Sequence, residues 1–164
     1  MVIRRSALAL MLMGSCACMA QTKYNGQLEP GLSTMDDAER VLGKPLNALS
    51  KTRFEYPPPA GASKLRIDFL GRTVNLIHVE FQKPYDRGAL TQAMKLPERP
   101  QTSKTSDCGY MVEYYGAPAL IALSYSSTQT SSGVTSLLYY SPTSFAMASQ
   151  IPLQSCAGAN KKGS

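Results

Sequence analysis

The chain holds one histidine, His78, and many serines that could supply a nucleophile. His78 lies between Ile77 and Val79 in an alternating apolar stretch, so the pattern places it on the face of a strand. A nucleophilic serine needs an activating base, and neither a Gly-x-Ser-x-Gly motif nor any other spacing couples His78 to a serine. We interpret His78 as a sheet-face residue rather than a general base.

The acidic residues also have structural explanations. Asp36 and Asp37 fall where a helix would begin, and the helix dipole favours negative charge there. Three further acids alternate with basic residues on neighbouring predicted strands, which favours cross-strand ion pairs over general acid–base work; they are Glu55, Asp68 and Glu80, with Arg53, Lys64 and Arg66. A glycine-rich phosphate loop is also lacking. The sequence therefore predicts a protein without catalytic activity and without a cofactor.

Four cysteines divide into two pairs by position. Cys16 and Cys18 belong to the N-terminal leader, whereas Cys108 and Cys156 belong to the rest of the chain. Two cysteines in an exported chain favour one disulfide, Cys108–Cys156, with two free thiols as the alternative. Two cysteines and one histidine do not complete a tetrahedral metal site, so we expect no bound metal.

Residues 1–20 have the pattern of an export signal. Arg4 and Arg5 precede an apolar run over 7–13 that is too short to cross a bilayer, and small residues follow. Two processing routes remain open: cleavage after Ala20, or lipidation of Cys16 in a lipoprotein-like sequence. Either route predicts an exported protein that is periplasmic or associated with the outer membrane of a bacterium.

Charge excludes one class of partner. The leader holds two of the 17 Lys and Arg residues and none of the 11 acids, so its removal lowers the net charge from +6 to +4. That excess is too small to indicate nucleic-acid binding. A membrane contact is expected only through a lipid anchor.

Two short helices are marked by their end residues. The first is predicted over residues 33–42, with Ser33 as its N-cap and Gly43 and Pro45 ending it. The second is predicted between Asp86, a capping residue, and Leu96. Alternating strands follow each helix, and the apolar phase of the strand over 74–81 shifts in the middle, which indicates a bulge or burial on both faces.

These elements predict an α+β fold of two helix-plus-antiparallel-strand repeats in one composite layer, with the helices on one sheet face. Two separate domains are the alternative. The predicted divisions are a signal peptide (1–20), a flexible tether (21–30), a first repeat (31–84), a second repeat (85–156) and a polar tail (157–164). A spacing of roughly 55 residues separates the repeats in element order.

The stretch Gly31-Leu32-Ser33-x-x-x-Ala38-x-x-Val41-Leu42-Gly43-x-Pro45, followed by Phe54-x-Tyr56 and a hairpin, resembles the small outer-membrane assembly lipoproteins of the SmpA/OmlA type. These share a helix-then-hairpin module with the β-lactamase inhibitor proteins, which carry two such modules in tandem. The resemblance implies an exported, non-catalytic, protein-binding α+β fold. It covers residues 31–81 as a motif, and the second half ends its helix on Leu96-Pro97 instead.

Tyrosines are concentrated in the second half of the chain. Residues 105–160 contain no Lys or Arg, only two acids, and six of the nine tyrosines. Tyrosine is enriched at protein interfaces, although it is also a good strand former when half buried. The pattern predicts a weakly charged partner-binding sheet face formed by Tyr110, Tyr114, Tyr125 and Tyr140.

Three functions are compatible with these observations. The first is an exported envelope scaffold or binding protein that holds a protein partner through its sheet face. The second is a secreted inhibitor of another enzyme, and the third is a small envelope hydrolase built around His78. Neither the partner nor the oligomeric state follows from the sequence.

Overall fold

The computed structural model describes residues 23–153 and 155 and shows an α+β fold. Three α-helices are present in this part of the chain: α1 (Met35–Leu42), α2 (Arg87–Ala93) and α3 (Pro142–Gln150). Eight strands form one antiparallel sheet; they are β1 (Asn47–Ala48), β2 (Arg53–Tyr56), β3 (Ala62–Leu70), β4 (Thr73–Tyr85), β5 (Thr102–Thr105), β6 (Met111–Tyr115), β7 (Ile121–Tyr125) and β8 (Val134–Tyr140).

The strands run in the order β1-β2-β3-β4-β8-β7-β6-β5, so β4 and β8 lie side by side in the middle. Pairing between β4 and β8 joins the first four strands to the last four, with Val79 opposite Leu137 and Ile77 opposite Tyr139. The expected single layer is therefore present as one continuous sheet.

The helices lie on both faces of this sheet. The face named A packs against α1 and α2 and holds the main core, which includes Leu65, Ile77 and Leu123. The face named B carries α3 over its β6–β8 part, where Phe145 packs with Tyr114 and Ala122. The expectation that all helices share one face is thus wrong for α3, because β6–β8 carry apolar side chains on both faces.

The N-cap of helix α1 lies one residue later than predicted. Thr34, not Ser33, is the N-cap: the Asp37 amide donates to Thr34 Oγ1 at 3.2 Å, and the Thr34 amide donates to Asp37 Oδ2 at 2.9 Å. This reciprocal capping box, led by the bond from the Thr34 amide, lowers the pKa of Asp37 to about 2. Ser33 is buried and instead accepts a bond from the Glu29 amide, while Gly43 ends the helix with φ +83° as expected.

Of the two explanations for the shifted phase of the strand over 74–81, the bulge is the one that the structure shows. Asp68 lies opposite Leu76 and Phe69 opposite Val74, so Asn75 is the extra residue on β4. The bulge shifts the alternation of the strand by one residue. Val74 before it and Ile77 after it therefore both point to face A. The Asp86 cap of α2 is also confirmed, since its carboxylate accepts from the Ala89 amide at 2.7 Å.

Three segments for which the sequence predicted no helix or strand are ordered parts of the fold. Within the predicted tether, Tyr24 and Leu28 are buried in the main core, so residues 23–30 are not a loose linker. The polar loop after Pro100 contains the edge strand β5, and the segment after Pro142 is α3. The leader 1–20, Cys156 and the tail 157–164 lie outside the described residues.

Across residues 23–153 and 155, none of the helices is long and apolar enough to cross a membrane.

Candidate binding faces of the sheet

Face B has two halves with different surroundings. Its β6–β8 half carries aromatic side chains that α3 covers. The Phe145 ring of α3 stands edge-on to Tyr114 and to Tyr140, each with centroids 6.0 Å apart, and the two tyrosine rings are 6.3 Å apart. Tyr114 is only 3% exposed as a result. This half is an interior contact rather than a free surface.

Side chains from both halves of the sheet fix the two ends of α3. At its start, the hydroxyls of Ser141 and Ser144 donate to Asn75 Oδ1 at 2.8 and 2.5 Å, so the bulged residue of β4 holds the helix N-terminus. At its end, Lys104 of β5 donates to the carbonyls of Ala148 and Ile151 at 2.9 and 2.5 Å. Lys104 therefore neutralises the negative end of the helix dipole.

The four tyrosines predicted to bind a partner do not form one exposed surface. Tyr110, Tyr114 and Tyr140 gather on face B beneath or beside α3. Tyr125 lies on face A and is 1% exposed. The expected exposed tyrosine face is therefore corrected, because the last helix, which the sequence reading did not anticipate, occupies that part of the sheet.

A buried charged group that the sequence reading passed over explains the position of Tyr125. Glu113 is 5% exposed and its Oε2 accepts from Arg87 Nε at 2.8 Å, from the Tyr125 hydroxyl at 2.7 Å and from the Tyr115 hydroxyl at 3.1 Å. Burial raises the pKa of Tyr115 to about 12 and raises that of Tyr125 further. The bond to Glu113 raises the pKa of Arg87.

This network attaches α2 to the sheet, because Arg87 is the first residue of the helix and Glu113 belongs to β6. Arg87 also donates to the Glu98 carbonyl at 3.1 Å. One sequence signal could have revealed the group: Glu113 is the single acid within an otherwise apolar strand, and a buried acid needs a partner.

None of the helices in the described part of the chain covers the β1–β4 half of face B, which is named here the open face. Arg53 reaches Asp68 with two bonds of 2.6 and 2.7 Å, and Arg66 reaches Glu80 at 2.8 Å. Lys64 lies 3.9 Å from the same Glu80 carboxylate. The predicted cross-strand ion pairs are thus confirmed for Asp68 and Glu80. Among the described residues Glu55 forms no ion pair, and its Oε2 instead accepts from Asn47 Nδ2 at 3.5 Å.

His78 lies on the open face, opposite Arg66 on one side and Leu138 on the other. Burial, and then the charge of Arg66, lowers its pKa. In the part of the chain that is described, its ring is not hydrogen-bonded to an acid or a hydroxyl group, so the triad that a hydrolase would need is not assembled there. The absence of catalytic activity stays a prediction.

The proposed disulfide reaches beyond the described residues at Cys156. Cys108 lies in the turn between β5 and β6, and its neighbour Asp107 accepts a hydrogen bond from the Ser155 hydroxyl. The residues preceding each cysteine are therefore in contact.

Within 23–153 and 155, no cluster of three His, Cys, Asp or Glu side chains could hold a metal ion.

Comparison with protein-family models and with curated proteins finds no match. Among solved structures, the chain is similar to a cysteine-rich secretory protein, SAV1118, from Staphylococcus aureus subsp. aureus Mu50. The alignment has 11% identity and a TM-score of 0.43, and it covers 74% of this chain and 48% of that one. The chain thus spans about half the length of that protein. A likeness this distant carries no argument about function, and the resemblance to the outer-membrane assembly lipoproteins stays a prediction.

Proposed function

We propose that the chain is an exported, non-catalytic protein of the bacterial envelope that holds a protein partner on the open face of its sheet. The observation that carries the proposal is the unequal coverage of face B. Helix α3 occupies the β6–β8 half, whereas the β1–β4 half presents Arg53, Lys64 and Glu80 at partly exposed positions. A half-sheet of this kind offers a partly exposed surface backed by the buried core of face A.

The chemistry of this face suits specificity more than strong non-specific attraction. Its ion pairs are already satisfied within the chain, so a partner must offer charges in matching register to gain from them. His78, partly buried in the middle of the layer, adds a flat ring that a partner's side chain can contact.

Internal duplication is part of the same proposal. Helix α1 precedes β1–β4 and α2 precedes β5–β8, and the two sets meet in the sheet through their last strands, β4 and β8. This arrangement supports an origin from one repeated unit, to which α3 was added. We propose that α3 made the two units unequal and left one face available for a partner.

Site-specific photo-crosslinking in the native host would test the partner surface. A photoreactive residue at position 53 or 64 of the full chain should give a protein adduct, because both positions are exposed on the open face. The same residue at the exposed positions 92 and 128, outside that face, serves as the matched control. Adducts from the controls but not from 53 and 64 would overturn the proposal.

The identity of the adduct separates the scaffold from the inhibitor. An envelope assembly protein supports the scaffold, whereas an enzyme whose activity falls on addition of this chain supports the inhibitor.

Intact mass of the exported protein, with and without reductant, would establish whether the chain starts at Gln21 or at a lipidated Cys16. It would also report the Cys108–Cys156 bond.

A further inference from the structure

His78, the one histidine of the chain, lies where the open face meets the half of face B that α3 covers. Leu76 and Glu80 share its side of β4, because successive side chains of a strand alternate. Arg66 of β3 lies opposite it on one side, and Leu138 of β8 lies opposite it on the other. The ring therefore has ion pairs on one side and the apolar cluster beneath α3 on the other.

The two carboxylates beside the ring are already engaged with cations. Glu80 accepts from Arg66 at 2.8 Å and lies 3.9 Å from Lys64 Nζ. Asp68 accepts two bonds from Arg53, at 2.6 and 2.7 Å. Three cations thus share two carboxylates next to His78. An additional positive charge at His78 would have to compete for a carboxylate that is already bound.

The other elements around the ring offer a protonated His78 no partner of its own. β8 and α3 contain no Asp, Glu, Lys or Arg, and the titratable side chain of β8 on this face is Tyr140, whose pKa is raised by burial. Glu55 of β2 lies one strand further away, opposite Arg66. The neutral form of the ring is therefore the one that suits this position.

A bound protein would strengthen that preference. Burial, and then the charge of Arg66, already lowers the pKa of His78 in the free chain. A partner seated on the open face would remove more water from the ring and lower its pKa again, because desolvation disfavours the charged form. By linkage, a partner that lowers the pKa of His78 must bind less tightly when His78 is protonated.

We propose that His78 makes the open face a pH-sensitive binding surface, which binds its protein partner while the ring is neutral and releases it when the ring is protonated. This switch rests on the proposed function and adds its regulation by pH. The direction follows from the engaged carboxylates and the three cations beside the ring. A partner that brought a carboxylate of its own to His78 would bind more tightly at low pH instead.

Photo-crosslinking at two pH values would test the switch. The probe is the full chain with a photoreactive residue at position 70, which is exposed and leaves the charges around His78 unchanged. It is added to the opened envelope of the native host at pH 7.5 and at pH 5.0. The adduct yield should be at least about threefold lower at pH 5.0, since each pKa unit corresponds to a tenfold change in affinity.

Three variants of the same probe separate the ring from other acid-sensitive groups. His78→Gln is neutral at both pH values, so its yields should differ much less between them than those of the natural chain. His78→Lys is charged at both, so its yield should already be low at pH 7.5. Gln92→Lys adds the same charge at an exposed position outside the open face and should behave like the natural chain.

An NMR titration of the His78 ring in the free chain gives a check that needs no variant. The adduct yield should start to fall at the pH at which the ring starts to take up its proton. A yield that stays constant, that rises at pH 5.0 or that falls before the ring titrates would overturn the switch alone. Absence of any adduct from position 70 would also overturn it, and the proposed function falls with it only if positions 53 and 64 give none.

Discussion

Strands β6–β8 and strands β2–β4 belong to one sheet but meet different surroundings. β6 is buried along its whole length, because α2 and the main core cover one face and α3 covers the other. β3 alternates between buried and partly exposed residues, since only face A is covered there. The difference teaches that the scarcity of charged side chains in β6–β8 reflects burial on two faces rather than a surface for a partner.

The strongest test of this comparison removes the aromatic contact of α3. Phe145→Ala should lower the free energy of unfolding by about 3 kcal/mol, because the ring is buried between Tyr114 and Tyr140. Leu70→Ala, at a position 69% exposed on β3, should change it by less than about 0.5 kcal/mol. Urea denaturation measures both, and a loss below about 1 kcal/mol for Phe145→Ala would show that α3 is not a fixed cover.

Loss of an ion pair should also lower the free energy of unfolding by different amounts in the two halves of the sheet. Arg87→Ala leaves the buried Glu113 without its cation and should cost about 3 kcal/mol. Arg66→Ala removes a partly exposed pair with Glu80 and should cost no more than about 1 kcal/mol. Equal losses in urea titrations of the two variants would contradict the distinction between the halves.

Buried tyrosine hydroxyls give a third and smaller contrast. Tyr125→Phe removes a 2.7 Å bond to the Glu113 carboxylate that also pairs with Arg87, and it should cost about 1.5–3 kcal/mol. Tyr56 is fully buried against α1 and its hydroxyl has no partner among the described residues. Tyr56→Phe should therefore leave the unfolding free energy unchanged or raise it by about 1 kcal/mol. Destabilisation by Tyr56→Phe would reveal a hydrogen bond that the structure does not contain.

The smallest expected effect is a pH dependence that His78 gives to the open face. Its pKa is lowered in the folded protein by burial and by Arg66, with Glu80 and Asp68 opposing and Arg53 adding to the shift. The unfolded chain therefore binds more protons once the pH falls below about 6.5, and stability declines from there downwards. Thermal unfolding between pH 7.5 and 5.5 should show a steeper decline for the natural chain than for His78→Gln. If the unfolding temperatures of the two proteins declined in parallel, His78 would not be the source of the pH dependence.

The sequence predicted the parts of the fold that local chemistry determines. The end of α1 at Gly43, the cap of α2 at Asp86, the bulge in β4 and the ion pairs of β2–β4 each follow from a few neighbouring residues. Thr34 was missed as the cap of α1 because Ser33 satisfies the same preference, whereas in the structure the Ser33 hydroxyl accepts from the preceding Glu29 amide and Thr34 caps the helix.

The parts that depend on distant contacts could not be predicted in the same way. β1 is two residues long, and β5 is polar, so neither has a periodicity of its own. α3 did leave a signal that went unused: Ser141 followed by Pro142 is a cap with proline in the first turn. The hydrogen bond from Ser141 to Asn75 joins residues that are 66 positions apart, so no local pattern could predict it.

The anchoring of α3 by Asn75 also has a consequence for the order of assembly. The helix can dock only after β4 and β8 are adjacent, because its first residues follow β8 and bond to a side chain of β4. During synthesis, the aromatic side of β6–β8 therefore remains uncovered until Pro142–Gln150 has emerged. A chain that stops before Pro142 exposes Tyr114 and Tyr140 permanently, and the closing helix thus distinguishes finished molecules from truncated, aggregation-prone ones.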